Sequence, residues 1–426
     1  MAAEQAGSND TKPKTGIWVL SILSSVPIIM VLGNSMLIPV LPTIQSEMEI
    51  SKFQVSLLIT LFSAGAGITI PFAGILSDRL GRRAIIAPSL LIYGAGGLVT
   101  GIAALMGGGF FWLMLTGRIL QGIGAAGTAP IAMALVSDLY QKAERSQALG
   151  IIEAANGMGK VVSPILGSLL ALITWWSLFF FFPILCIPIA LGIWYIVKES
   201  EKQKEAQPLS QYKDHLLKTW ERQGRWLLVA FLAGAVSLFI LFGVLFFLSD
   251  FLEKRYGIEG VLKGAILAIP LLALCTTSYL TGRYVKQKTR LMRRLIVLGL
   301  FMVAGGMTLV PFITNTYLLI AILIGIGTGS GLILPCLNTL ITSAVGSKER
   351  GIVTSLYGSV RFLGVALGPP IFGALANQKW WLFLGSAALA LVVGLLSLWA
   401  IRQPQRLRGK DGQSRLYLHK GNLKPT

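Results

Sequence analysis

The sequence predicts an all-α polytopic membrane protein, and three observations carry that prediction. Of the 426 residues, 54% are hydrophobic and only 13% charged, with a positive mean hydropathy. A soluble core of this size would not need so few charges. Twelve apolar runs of about 20 residues divide the chain, each long enough to cross roughly 30 Å of hydrocarbon. An internal repeat then pairs the first six runs with the second six at a constant offset of 205 residues. It maps Gly122 and Gly124 onto Gly327 and Gly329, Pro130 onto Pro335, Gly159 onto Gly364 and Pro164 onto Pro369. Six spans plus six, related by duplication, is the arrangement of a transporter with parallel halves and a central site.

In order, residues 1–16 form an N-terminal tail and 17–197 a six-helix half with spans near 17–41, 53–76, 84–106, 110–136, 147–171 and 176–197. The first run is long enough to span and lacks a convincing small-residue cleavage site after it, so it is expected to stay as the first helix. A charged linker, 198–225, leads to the second half, 226–401, with an interfacial helix expected around 209–222. The second half has spans near 226–249, 262–285, 294–313, 316–342, 351–376 and 380–401, and a basic tail occupies 402–426. Trp175-Trp176 and Trp380-Trp381 open the sixth and twelfth spans, where amphipathic rings suit a headgroup-level belt.

The formal net charge of +19 follows topology rather than a nucleic-acid footprint. With the N-terminus inside, cytoplasmic segments hold 29 of the 37 Lys and Arg and outer loops five, so both termini are expected in the cytoplasm. Three basic residues remain within spans: Arg118, Lys160 and Arg361. Cys186, Cys275 and Cys336 lie apart in three spans and indicate neither a disulfide nor a metal site, and no cofactor is indicated.

Three motifs carry a family resemblance. "GILSDRLGRR" after the second span holds Gly74, Asp78, Arg79, Gly81, Arg82 and Arg83; "RILQGIGAAG" in the fourth holds Arg118 and Gln121; "GMGKVVSPILG" lies in the fifth. Together they resemble signatures of the major facilitator superfamily, and "NSMLIPVLP" in the first span resembles its twelve-helix drug:proton antiporter branch. The resemblance covers roughly 17 to 401 and implies the major facilitator fold: two six-helix halves that rock about a cavity lined by spans 1, 4, 7 and 10. It also implies a gate on the cytoplasmic side in which Asp78 pairs with Arg82, Asp138 joins them, and Asp78 faces the start of the eleventh span. The fifth-span motif departs from the family pattern, reading Ser163-Pro164 and Gly167-Ser168 where the family has Gly-Pro and Gly-Gly. Its small residues Gly159, Ser163 and Gly167, with Gly364, Gly368 and Pro369 in the eleventh span, are expected to let helices approach closely and bend.

Two look-alikes fail. "GIGAAG" satisfies a dinucleotide-binding pattern but has no preceding strand, and "GMGK" would need Gly at Ala154 and Ser or Thr at Val161 to be a phosphate loop. No nucleophile, base and metal constellation suggests an enzyme.

Glu153, Asn156, Gly157 and Lys160 follow an i, i+3, i+4, i+7 pattern and share one face of the fifth span. Counting from the cytoplasmic ends puts Glu153 about 9 Å deep, Arg361 about 15 Å, Lys160 about 20 Å, Asn34 about 25 Å and Arg118 about 28 Å. Arg118 is thus out of reach of Glu153, and Asn34 or nearby carbonyls suit it better. Glu153, the acidic residue placed well inside a span, is the candidate proton carrier; a static polar plug or direct cation recognition are the other readings. Lys160 and Arg361 suit either an anionic substrate or counter-charges that stabilise one conformation. Asn34, Arg118 and Gln121 are candidate cavity residues. The expectation is a monomeric, proton-coupled exporter of small amphipathic compounds in a bacterial cytoplasmic membrane, with lipid and protons as its other partners. A carrier of a specific anionic metabolite or lipid precursor and a non-transporting receptor or scaffold are the alternatives.

Overall fold

The computed structural model describes residues 17–140, 142–197, 199, 209–285, 289–344 and 350–401; the expected tails and linker residues 200–208 lie outside them. Fourteen α-helices are described. The first half comprises α1 (Ile17–Ser35), α2 (Leu41–Glu47), α3 (Lys52–Leu80), α4 (Arg82–Leu105), α5 (Phe111–Ala126), α6 (Ala129–Leu139), α7 (Lys142–Ala171) and α8 (Ser177–Tyr195). The second comprises α9 (Leu209–Tyr256), α10 (Gly260–Val285), α11 (Thr289–Leu309), α12 (Thr316–Ala344), α13 (Arg350–Ala374) and α14 (Lys379–Ala400).

Local sequence explains the breaks. A 3-10 turn at Ile38–Val40, containing Pro39, joins α1 to α2, so the first span is kinked near its far end. The fourth span is interrupted between α5 and α6 at Gly127 and Thr128, just before Pro130 enters the first turn of α6. Its repeat counterpart Pro335 stays inside an unbroken α12, so the duplication is not symmetric there. Ser51 caps α3 by accepting from Gln54 N–H at 3.1 Å while the Gln54 side chain accepts from Ser51 N–H at 2.8 Å.

Among the described residues, eleven helical stretches are long and apolar enough to cross a membrane. The fifth span, α7, is 30 residues long but diluted by Glu153, Asn156 and Lys160, the polar face singled out above. Large apolar side chains face outward along the bundle, for example Ile184 at 66% exposure and Trp381 at 78%, as a lipid-facing surface requires. The linker helix is not separate. With no proline from 209 to 256, it runs directly into the seventh span as one 48-residue helix.

The halves meet along two seams, α3 against α13 and α7 against α10. Glycines set close approaches inside each half, and the repeat shows in what they touch. A Cβ at Gly122 would collide with the Phe62 carbonyl on α3, and one at Gly327 with the Pro270 carbonyl on α10. Gly159 lies over Ile28 of α1, its added Cβ 3.3 Å from Ile28 Cα, while a Cβ at Gly364 would collide with the Ala235 carbonyl of α9. Gly167 is pressed against the Met36 carbonyl and Gly368 against the Phe239 carbonyl. Between Gly159 and Gly167, Ser163 is fully buried and turns its hydroxyl back to the Gly159 carbonyl.

Candidate functional site

A cavity of about 2450 Å³ lies between the halves. It opens at the end of the bundle where the basic loops lie, reaching Arg82, Asp138, Arg283 and Gly351, and it ends near mid-bundle. Spans 1, 4, 7 and 10 contribute Asn34, Pro130, Leu238 and Asn338, and the seam helices α3, α7, α10 and α13 contribute as much again. The wall is thus shared by eight spans rather than the four expected, because parting the halves exposes both seams.

The opposite end is shut by contacts that cross between halves. Lys52 at the start of α3 pairs with Asp250 of α9 at 2.8 Å, and Lys254 reaches the other oxygen of Asp250 at 3.1 Å. Ser249 Oγ donates to the Ile38 carbonyl at 2.8 Å, and Thr60 Oγ1 to the Ala366 carbonyl at 2.8 Å. In the sequence Lys52 counts only as one of the five basic residues of the outer loops, and nothing there signals its pairing with Asp250, because each sits in an ordinary polar span end.

Arg118 and Gln121 do not line the cavity. Both are fully buried behind it. The Arg118 guanidinium donates to the Leu58 carbonyl at 2.7 Å, Gln121 Oε1 at 2.6 Å, the Gly33 carbonyl at 2.9 Å and Asn34 Oδ1 at 2.8 Å. Its face lies 4.5 Å from the Phe62 ring centroid. Asn34 in turn donates to Ser63 Oγ at 2.7 Å. An always-charged fork with four of its five donors spent on α1, α3 and α5, and no surface on the cavity, is a bundle tie rather than a ligand contact. Asn34, 5% exposed, belongs to this tie and also touches the cavity wall.

Glu153, Lys160 and Arg361 do line the cavity, with Asn156, Gly157 and Cys275 beside them. Glu153, Cys275 and Arg361 all lie within electrostatic range of Lys160, so the structure brings together charges from both halves. Cys275 of α10 donates its thiol to the Gly157 carbonyl at 3.2 Å, holding the seam at this level. Arg361 lies with its guanidinium carbon 5.4 Å from the Tyr357 ring centroid.

At the basic end, Asp78 Oδ1 lies 2.6 Å from Arg82 Nη2, and Asp138 Oδ2 lies 3.5 Å from Arg82 Nε. Arg82 Nη1 also donates to Ser77 Oγ at 2.6 Å. This triad belongs wholly to the first half and is intact while the mouth is open, so it does not by itself close the cavity. What crosses between halves is Asp78 toward the start of α13, 3.9 Å from where a Cβ on Gly351 would sit, and Gly74, whose added Cβ would lie 2.7 Å from Ser355 Oγ. Gly81 holds φ +100° in the one-residue turn between α3 and α4. Glu199, which sequence reasoning passed over, accepts from the backbone N–H of Arg82 at 2.8 Å and of Arg83 at 3.0 Å, a carboxylate on the N-terminus of α4. Arg83 itself stacks 4.9 Å from the Trp194 ring. Arg79 joins Asp78, Gly81 and Arg82 at the mouth.

A family model described as Major Facilitator Superfamily matches residues 23–369. A Bacillus subtilis protein named bacillibactin exporter is 44% identical over 382 residues, covering 89% of this chain and 95% of its own. Multidrug resistance protein 2 of the same organism is 27% identical, covering 88% of this chain and 93% of its own. Among solved structures, the D-xylose-proton symporter superposes with a TM-score of 0.71 at 14% identity, covering 91% of this chain and 98% of its own. A bacterial homologue of the lysosomal transporter Spinster, inward-facing and occupied, gives 0.68 at 16% identity, with 91% and 97% covered.

Proposed function

This chain belongs to the Major Facilitator Superfamily, a family of transporters rather than enzymes, and from that premise we propose that it exports a small organic molecule across a bacterial cytoplasmic membrane in exchange for protons. The observation that carries the reading is the large cavity, open at the basic end and shut at the other by Lys52–Asp250, with ionisable side chains on its inner wall. By the positive-inside rule that open end faces the cytoplasm, as do both termini, so the cavity is the inward-facing state of an alternating-access cycle. Both halves come from one chain, so the working unit is a monomer in lipid. Export is supported by the names of the relatives; bacillibactin, named for the 44% identical relative, is the first substrate to test.

Glu153 is the proton carrier in this reading. It is exposed to the cavity while Lys160 stands within electrostatic range, so rocking of the halves alters both its hydration and its cationic neighbour, the two influences that move a carboxyl group's proton affinity. The test is substrate flux in proteoliposomes under an imposed pH gradient. Glu153→Gln is expected to abolish gradient-driven flux while leaving substrate binding; a variant that keeps full coupling to the gradient removes Glu153 from this role.

A further inference from the structure

We infer that the transported molecule is an anion, gripped between Lys160 of the first half and Arg361 of the second. The inference rests on the transport reading above and names the charge of what that cavity carries.

Both residues line the cavity, on α7 and α13, about 17 and about 20 Å from the far ends of their helices. Among the described residues, neither Lys160 nor Arg361 forms a hydrogen bond or an ion pair to protein, and Arg361 Nε is enclosed with no partner. An unpaired cation at this depth is costly. Glu153 is within electrostatic range of Lys160 but makes no close ion pair, and one carboxylate against an ammonium and a guanidinium leaves the central wall positive.

Arg118 supplies the internal comparison. It too sits deep in the bundle, yet protein oxygens take up four of its five donors. Arg361 is held differently. The ring of Tyr357, itself 2% exposed, lies beneath the guanidinium and orients it by its face, which consumes no N–H. A planar fork kept in place with its donors unspent, opposite a flexible ammonium, suits a carboxylate, sulfonate or acidic phenol lodged between them. Because the two cations belong to different halves, such an anion also bridges the halves.

Binding of two xanthene dyes of opposite charge to the full chain in lipid nanodiscs tests the inference: fluorescein as the anion, rhodamine 6G as the cation. Wild type is expected to prefer fluorescein. Lys160→Met and Arg361→Met are each expected to weaken fluorescein about tenfold or more without weakening rhodamine 6G. Lys160→Arg and Arg361→Lys, which keep the charge and guard against misfolding, should retain most of the affinity. A wild type that favours rhodamine 6G, no fluorescein binding, or fluorescein affinity unchanged in both Met variants overturns the inference. Rhodamine 6G efflux from proteoliposomes with fluorescein refused would discard the anion while sparing the exporter reading; a protein that binds fluorescein but moves neither dye would do the reverse.

Discussion

Two arginines within the membrane-spanning helices have opposite fates, and the difference lies in what surrounds them. Arg118 is enclosed by oxygens of α1, α3 and α5, whereas Arg361 meets an aromatic face and the cavity. Arg118→Lys keeps the charge but offers three donors in place of a planar fork, so at least one of the four acceptors loses its donor. At about 1–3 kcal/mol for a buried polar group left unpaired, the variant should lose about 1 kcal/mol or more. The check is the thermal midpoint of purified protein in detergent; a variant as stable as its parent contradicts the tie. Helical depth counting puts Asn34 level with Arg118, and the two are hydrogen-bonded. Depth is legible because the rise per residue is constant. Facing is not: Arg118 and Gln121, three residues apart, share a helical face, but such a face can turn toward neighbouring helices as well as toward a cavity, and so they read as cavity residues when they lie behind the wall. Lys160 and Glu153 both line the cavity, on a face of α7 that the spacing of several polar residues marks in the sequence.

The same contrast between rise and environment holds for whole elements. Helix ranges follow from apolar runs, but continuity does not, since it depends on what each end packs against. Pro130 accompanies a break and Pro335 does not, and the linker helix fuses with the seventh span. The turn between α3 and α4 was legible in its Gly81 and its charges, yet Glu199 escaped notice because it is distant in sequence and carries no motif. Beside this turn Asp78 bears on both halves: it neutralises Arg82 in its own half and sits at the start of α13 in the other, where the helix dipole favours a carboxylate. Asp78→Asn is therefore expected to weaken closure of the basic end more than it weakens the fold. Transport should fall, and a fluorescence-quenching pair across the mouth should report a larger fraction open at that end. Unchanged flux with unchanged populations would remove Asp78 from gating.

For the whole molecule, charge and direction are tied together by the membrane potential. Each elementary charge crossing the potential contributes about 2.3 kcal/mol per 100 mV, roughly a fiftyfold change in an accumulation ratio. An anion leaving a negative interior is driven outward by that potential, and a proton returning is driven inward by it. A monovalent anion exchanged for one proton thus moves two net charges in the favourable direction, whereas a monovalent cation exchanged for one proton moves none. The cavity wall, with Lys160 and Arg361 against Glu153, predicts the first case. In vesicles with equal pH on both sides and a potassium–valinomycin potential, the outward accumulation of an anionic substrate should rise steeply as the interior is made more negative. A steady-state ratio indifferent to voltage would mean that the substrate crosses as a cation in one-for-one exchange, and it would overturn the charge assignment while leaving alternating access intact.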